Sequence, residues 1–133
     1  MRRSTFFVLA AVLPGMFGTI MMVAPGLMLG NSLVVPVGPS SAVVTQWAGF
    51  GTFTLAVITF LSRNDPGSAA LRAVMWGNIV FHVLGMAFDT YDFSTGFMGT
   101  SGLVTGLVPH TLLASGFAYY LAGLEKHEPS RSP

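Results

Sequence analysis

Apolar residues do not alternate along this chain. They run in long stretches broken by small residues and an occasional polar one. Four stretches stand out: FFVLAAVLPGMFGTIMMV at about residues 6–23, VVTQWAGFGTFTLAVITFL at 43–61, LRAVMWGNIVFHVLGMAF at 71–88 and LVTGLVPHTLLASGFAYYLAGL at 103–124. Each approaches the roughly 20 residues that a helix needs to cross a bilayer. An open-ended segment satisfies its backbone in lipid only as a helix, and the alternating ten-residue strands of a membrane barrel are absent. The pattern predicts an all-α, four-helix transmembrane bundle. It forms a single integral membrane domain over residues 1–133, ending in a polar tail at 125–133.

The connections carry their own signals. The stretch from Ala24 to Ala42, APGLMLGNSLVVPVGPSSA, is rich in Gly, Pro and Ser, yet LMLG and SLVVPV are too apolar for a free loop. They are expected at the membrane interface or packed over the mouth of the bundle. The second connection on that side, DTYDFSTGFMGTSG, holds aromatic residues suited to headgroup depth. The opening MRRSTFFVLAAVL has the look of a secretory signal. Its apolar run continues through MMV, so it is read as a retained helix.

Charge adds orientation. Arg2 and Arg3 precede the first segment, Arg63 and Arg72 flank the connection between the second and third, and Lys126 and Arg131 follow the fourth. All six basic residues thus fall on one side, with Asp89 and Asp92 on the other. The positive-inside rule makes the basic side cytoplasmic and both termini with it. The expected location is the cytoplasmic membrane, as a multi-pass protein. Composition agrees: charged residues are 8% of the chain and AVILMFWYC residues 52%. Soluble proteins carry roughly 25% charged residues. The net charge of +1 argues against a nucleic-acid partner, because phosphate binding needs clustered Lys and Arg. The absence of cysteine excludes disulfides, thiolate metal sites and thiol nucleophiles.

The chemistry is concentrated in the third and fourth segments. Asn78, His82, Gly85 and Asp89 are spaced by four, three and four, which is one face of a helix. Polar groups are costly in lipid and turn inward. In the fourth segment Gly106 lies four residues before His110, and Pro109 precedes the histidine and frees a carbonyl. His82 lies seven residues in from Asp89, and His110 seven residues in from Leu103. Both therefore sit about 10 Å below the same boundary, on consecutive antiparallel segments. Gln46 of the second segment enters from that side too, with Trp47 beside it as an interfacial anchor. The outer half of the bundle is thus expected to hold Gln46, Asn78, His82, Asp89 and His110.

Three roles fit these residues. The histidines can tie helices together by hydrogen bonds. They can ligate a metal or a tetrapyrrole such as haem or a chlorophyll-type ring, with Gly106 clearing space beside His110. They can move protons, since imidazole titrates near neutral pH. Asp89 and Asp92 lack the spacing of a calcium loop. No HExxH, P-loop or dinucleotide fingerprint occurs.

The order of features also has a family look. A first helix ending in an Ala-Pro-Gly turn, a glycine-rich second helix, FHVLGMAFD in the third and PHTLLASGFAYYL in the fourth resemble the small four-helix DoxX-like membrane proteins of bacteria. The resemblance implies a compact bundle in the cytoplasmic membrane and little about chemistry, since members of that family include accessory subunits of redox complexes and many proteins of unknown role. The functional expectation is a non-catalytic accessory subunit or small-ligand-binding bundle. It would work as a homo-oligomer or within a larger membrane complex, contacting it through the glycine faces of the second and fourth segments. The alternative is a cofactor or substrate site for a tetrapyrrole, quinone or lipid, built on His82 and His110. In that site Asp89 and Asn78 orient the imidazoles and Gln46 touches the ligand.

Overall fold

The computed structural model of the protein describes residues 1–34 and 38–125. Its helices are α1 (Arg3–Val23), α2 (Pro25–Ser32), α3 (Pro39–Leu61), α4 (Ala69–Ser94) and α5 (Thr100–Glu125), with a 3-10 turn at Ser62–Asn64 between α3 and α4. Four of these, all but α2, are long and apolar enough to cross a membrane. At about 1.5 Å per residue, α1 spans about 31 Å, the thickness of a bilayer's hydrocarbon. Val35, Pro36 and Val37 of the apolar connection, and the tail with Lys126 and Arg131, lie outside the described residues.

The apolar runs locate the spans but not the helix ends. α4 continues past Asp89 through Ser94, because polar residues leave lipid without leaving the helix. It stops where a glycine takes the left-handed conformation: Gly96 has φ 79°. There the Phe97 amide donates to the Asp92 carbonyl and the Gly96 amide to the Phe93 carbonyl, a Schellman ending. α3 starts at Pro39, four residues before its apolar run, and α2 starts at Pro25. Proline suits the first helical position because its missing N–H has no partner there anyway. The LMLG stretch is therefore helical, as part of α2. Just beyond it, the Val34 amide donates to the Phe97 carbonyl, and Leu33 forms an isolated bridge with Met98. The two connections at this end are stitched together.

The bundle is built from two close pairs, α1 with α3 and α4 with α5. The first pair crosses where Gly18 meets Gly49. A Cβ on Gly18 would lie 2.8 Å from the Phe53 backbone nitrogen, and one on Gly49 would lie 2.9 Å from the Gly18 carbonyl oxygen. Small residues let helix backbones approach this closely where lipid supplies no hydrophobic drive. The two pairs meet over an aromatic core. Phe6 and Phe7 of α1 pack edge to face on Phe117 of α5, with centroids 4.9 and 5.4 Å apart. Leu71, Met75, Leu113 and Leu121 close this core.

One end of the bundle carries arginine. The Arg3 guanidinium donates to the Asp65 carbonyl, and the Tyr120 hydroxyl donates to the Met1 carbonyl. The start of α1, the α3–α4 connection and the last turns of α5 therefore meet. Arg2, Arg3, Arg63 and Arg72 all belong to this end, and Asp89 and Asp92 lie toward the other.

Candidate functional site: a histidine pair and a carboxylate between α4 and α5

The buried stripe of α4 runs Leu71, Met75, Asn78, His82. It continues through the half-buried Gly85 and Asp89. On α5 the facing stripe includes Gly106, His110, Leu113 and Phe117. These two faces interlock through reciprocal notches. The His110 imidazole lies over Gly85, where a Cβ would come within 2.6 Å of its Cε1 and Nε2. The Asp89 carboxylate lies over Gly106 and occupies the space that a Cβ there would take. Each helix thus places a glycine one turn before its polar residue, and the antiparallel arrangement sets each polar residue into the other helix's glycine.

This fit brings the histidines together. His82 Nδ1 and His110 Nδ1 are 2.8 Å apart, a direct hydrogen bond. One ring carries the hydrogen there and the other presents its lone pair. His110 Nε2 points at Asp89 Oδ2 across 3.9 Å, longer than a hydrogen bond. His82 is only 2% exposed. Its ring stacks over Phe117, with centroids 6.4 Å apart and planes at 16°. Its Nε2 is buried with no hydrogen-bond partner among the described residues, and the same holds for Asp89 Oδ2.

The other expected site residues are placed differently. Asn78 lies one turn from His82 on the same face, but its amide donates to the Thr59 hydroxyl at 3.0 Å and to the Val74 carbonyl at 2.9 Å. It is a strut between α4 and α3 rather than an orienting partner of the imidazole. Its partner Thr59 is fully buried, and a lone threonine in an apolar run carries no periodic signal that would pair it with Asn78. Gln46 donates to the Met22 carbonyl at 3.1 Å, so it joins α3 to α1 instead of α4. Gly85 receives the imidazole of the neighbouring helix, and Gly106 receives Asp89 rather than clearing room for a macrocycle. Among the glycine faces expected to serve partners, Gly49, Gly106 and Gly116 are filled from within the chain, by Gly18, Asp89 and the Phe6 ring.

The geometry also bears on metal binding. Two nitrogens each about 2.1 Å from a tetrahedral zinc stand about 3.4 Å apart. At 2.8 Å the two Nδ1 atoms hold each other instead. Among the described residues no three His, Cys, Asp or Glu side chains converge as metal ligands. The arrangement is a line of alternating proton donors and acceptors, Asp89–His110–His82, ending on a buried nitrogen. No family model matches the chain, and neither a curated protein nor a solved structure matches it.

Proposed function

We propose that the protein is a small ligand-binding bundle of the cytoplasmic membrane, non-catalytic, with both termini on the cytoplasmic side. Its site lies at the buried end of the histidine pair. The observation that carries this reading is His82 Nε2, a polar atom shut away from solvent with nothing among the described residues to bond it. An unmet buried polar group costs about 1–3 kcal/mol. A ligand with a hydroxyl or carbonyl group would meet it. The surroundings are aromatic and apolar, so the fitting class is a quinone or a lipid of similar polarity. A tetrapyrrole fits less well, because the His82 ring face is covered by Phe117 and Gly85 by His110.

The test is extraction in mild detergent, followed by native mass spectrometry and a spectrum across the ultraviolet, visible and near-infrared. A quinone or lipid retained by the wild type and lost in His82→Ala supports the reading. Equal retention by both proteins sinks it. Orientation has a separate test, because the chain has no cysteine of its own. A membrane-impermeant maleimide on intact cells is expected to label Thr100→Cys and to leave Asn64→Cys unlabelled. The reverse pattern refutes the orientation.

A second reading, an accessory subunit of a larger complex, has its own support. An apolar groove runs along α1 and α3, lined by Val12, Gly15, Met16, Thr19 and Phe53. Cross-linking from Met16→Cys in membranes tests it: a discrete adduct supports docking there, and labelling by lipid alone counts against it.

A further inference from the structure

We propose that Asp89, His110 and His82 form a proton relay in which the protonation of Asp89 sets the tautomer of both imidazoles. The inference uses the same site as the ligand reading but needs no ligand. It follows from the order of atoms along the line.

The two Nδ1 atoms share one hydrogen across 2.8 Å. When the Asp89 carboxyl is ionised, it favours a hydrogen on His110 Nε2. His110 Nδ1 is then a lone pair, so His82 Nδ1 carries the shared hydrogen, and His82 Nε2 is a bare acceptor. When Asp89 is protonated, its hydroxyl needs an acceptor at His110 Nε2. The shared hydrogen then sits on His110 Nδ1, and His82 Nε2 carries a hydrogen and becomes a donor. The two states differ by one proton. To pass between them, a water or ligand hydroxyl that reaches His82 Nε2 gives up a proton to it, and the His82 Nδ1–H bond breaks as His110 Nδ1–H forms. The His110 Nε2–H bond breaks as Asp89 Oδ2–H forms. Both imidazoles begin and end neutral, so no imidazolium is left in the apolar interior, where a charge is expensive.

The last step crosses 3.9 Å. The His110 side chain is 23% exposed, and Asp89 keeps 18% of its side chain exposed. A turn of its carboxylate or one bridging water closes that distance. His82 and Asp89 are seven residues apart on α4, so the relay carries a proton about 10 Å along the helix axis. It runs between a buried point beside Phe117 and the aspartate end of the bundle. The buried end thereby changes from acceptor to donor, which is what a ligand alternating between carbonyl and hydroxyl requires.

The electrostatic surroundings of the line are simple. On α4 the other ionisable groups are Arg72 at the far end, and Tyr91 and Asp92 just beyond Asp89. Among the described side chains of α5 they are Tyr119 and Tyr120, toward the arginine end, and α1 brings Arg3 there. α2 and α3 carry none.

The experiment is a pH series of nitrogen and carbon NMR spectra. It uses the full-length protein in lipid nanodiscs, labelled at histidine nitrogens and aspartate carboxyls. Above the midpoint of Asp89, His82 is expected to show a protonated Nδ1 and a bare Nε2. Below it the two assignments exchange, and those of His110 exchange in step, with no doubly protonated imidazolium. Asp89→Asn is expected to abolish the step, and Asp89→Glu to keep it at a shifted midpoint. The proposal is overturned if either imidazole simply becomes imidazolium, if its tautomer stays fixed while Asp89 titrates, or if the step survives in Asp89→Asn. If Asp89→Asn fails to fold, the wild type and Asp89→Glu still decide. Ligand loss in His82→Ala with this step intact in the wild type speaks to the ligand reading alone.

Discussion

Replacing Gly85 with alanine perturbs the histidine pair without altering any polar group. The new Cβ would lie 2.6 Å from His110 Cε1 and Nε2 and 3.0 Å from Cδ2. Non-bonded carbons settle at about 3.5–4.0 Å, so the ring must retreat by roughly 1 Å. The 2.8 Å bond to His82 then stretches to roughly 3.8 Å, beyond hydrogen-bonding range. Overpacking costs about 1–3 kcal/mol, and a lost polar contact between membrane helices about 0.6–2 kcal/mol. The sum expected for Gly85→Ala is roughly 2–5 kcal/mol. The assay is reversible unfolding in mixed micelles, with Gly51→Ala as reference, because a Cβ at Gly51 meets nothing within 4 Å. The variant should also lose the coupled imidazole signals. If Gly85→Ala matches Gly51→Ala in stability and keeps those signals, the notch is not what positions His110, and the account of the site fails.

Further outcomes follow from the same contacts. Gly49→Ala places a Cβ 2.9 Å from the Gly18 carbonyl oxygen, and backbone cannot turn aside as an imidazole can. It should cost about 1–3 kcal/mol by the same unfolding assay, and a neutral result would contradict the close crossing of α1 and α3. Thr59→Val keeps the shape but removes the hydroxyl that Asn78 uses. It should destabilise by about 1–3 kcal/mol, and combining it with Asn78→Leu should recover much of the loss. In the α3–α4 connection, backbone amides of Ser68 and Gly67 and the Ser68 hydroxyl donate to the Asp65 carboxylate and hold its pKa below the usual aspartate range. A lowered folded pKa stabilises the turn above the unfolded value, and that contribution is lost as pH falls through the folded value. Hydrogen exchange at Gly67 and Ser68 should therefore speed up, relative to intrinsic rates, only in strong acid, and an onset near neutral pH would exclude this cap.

The sequence by itself determined what depends on the solvent. Long apolar runs and sparse charge require lipid around the chain, lipid requires helices, and the arginine positions group at one end. It also determined which face of α4 turns inward, because Asn78, His82, Gly85 and Asp89 share one helical side and polar groups avoid lipid. Tertiary structure decided what each of those residues meets. Helical spacing places side chains on a face, but a contact depends on the rotation and offset of the neighbouring helix to within an ångström or two. Matching depths made a meeting of His82 and His110 conceivable. The reciprocal seating of His110 on Gly85 and Asp89 on Gly106 is what brings the two Nδ1 atoms to 2.8 Å. The same offset sends Asn78 to Thr59 and Gln46 to Met22. Each notch joins residues from two helices, so no pattern within one helix reveals it. Only the two four-residue spacings, Gly85 to Asp89 and Gly106 to His110, set against each other in antiparallel, carry the signal.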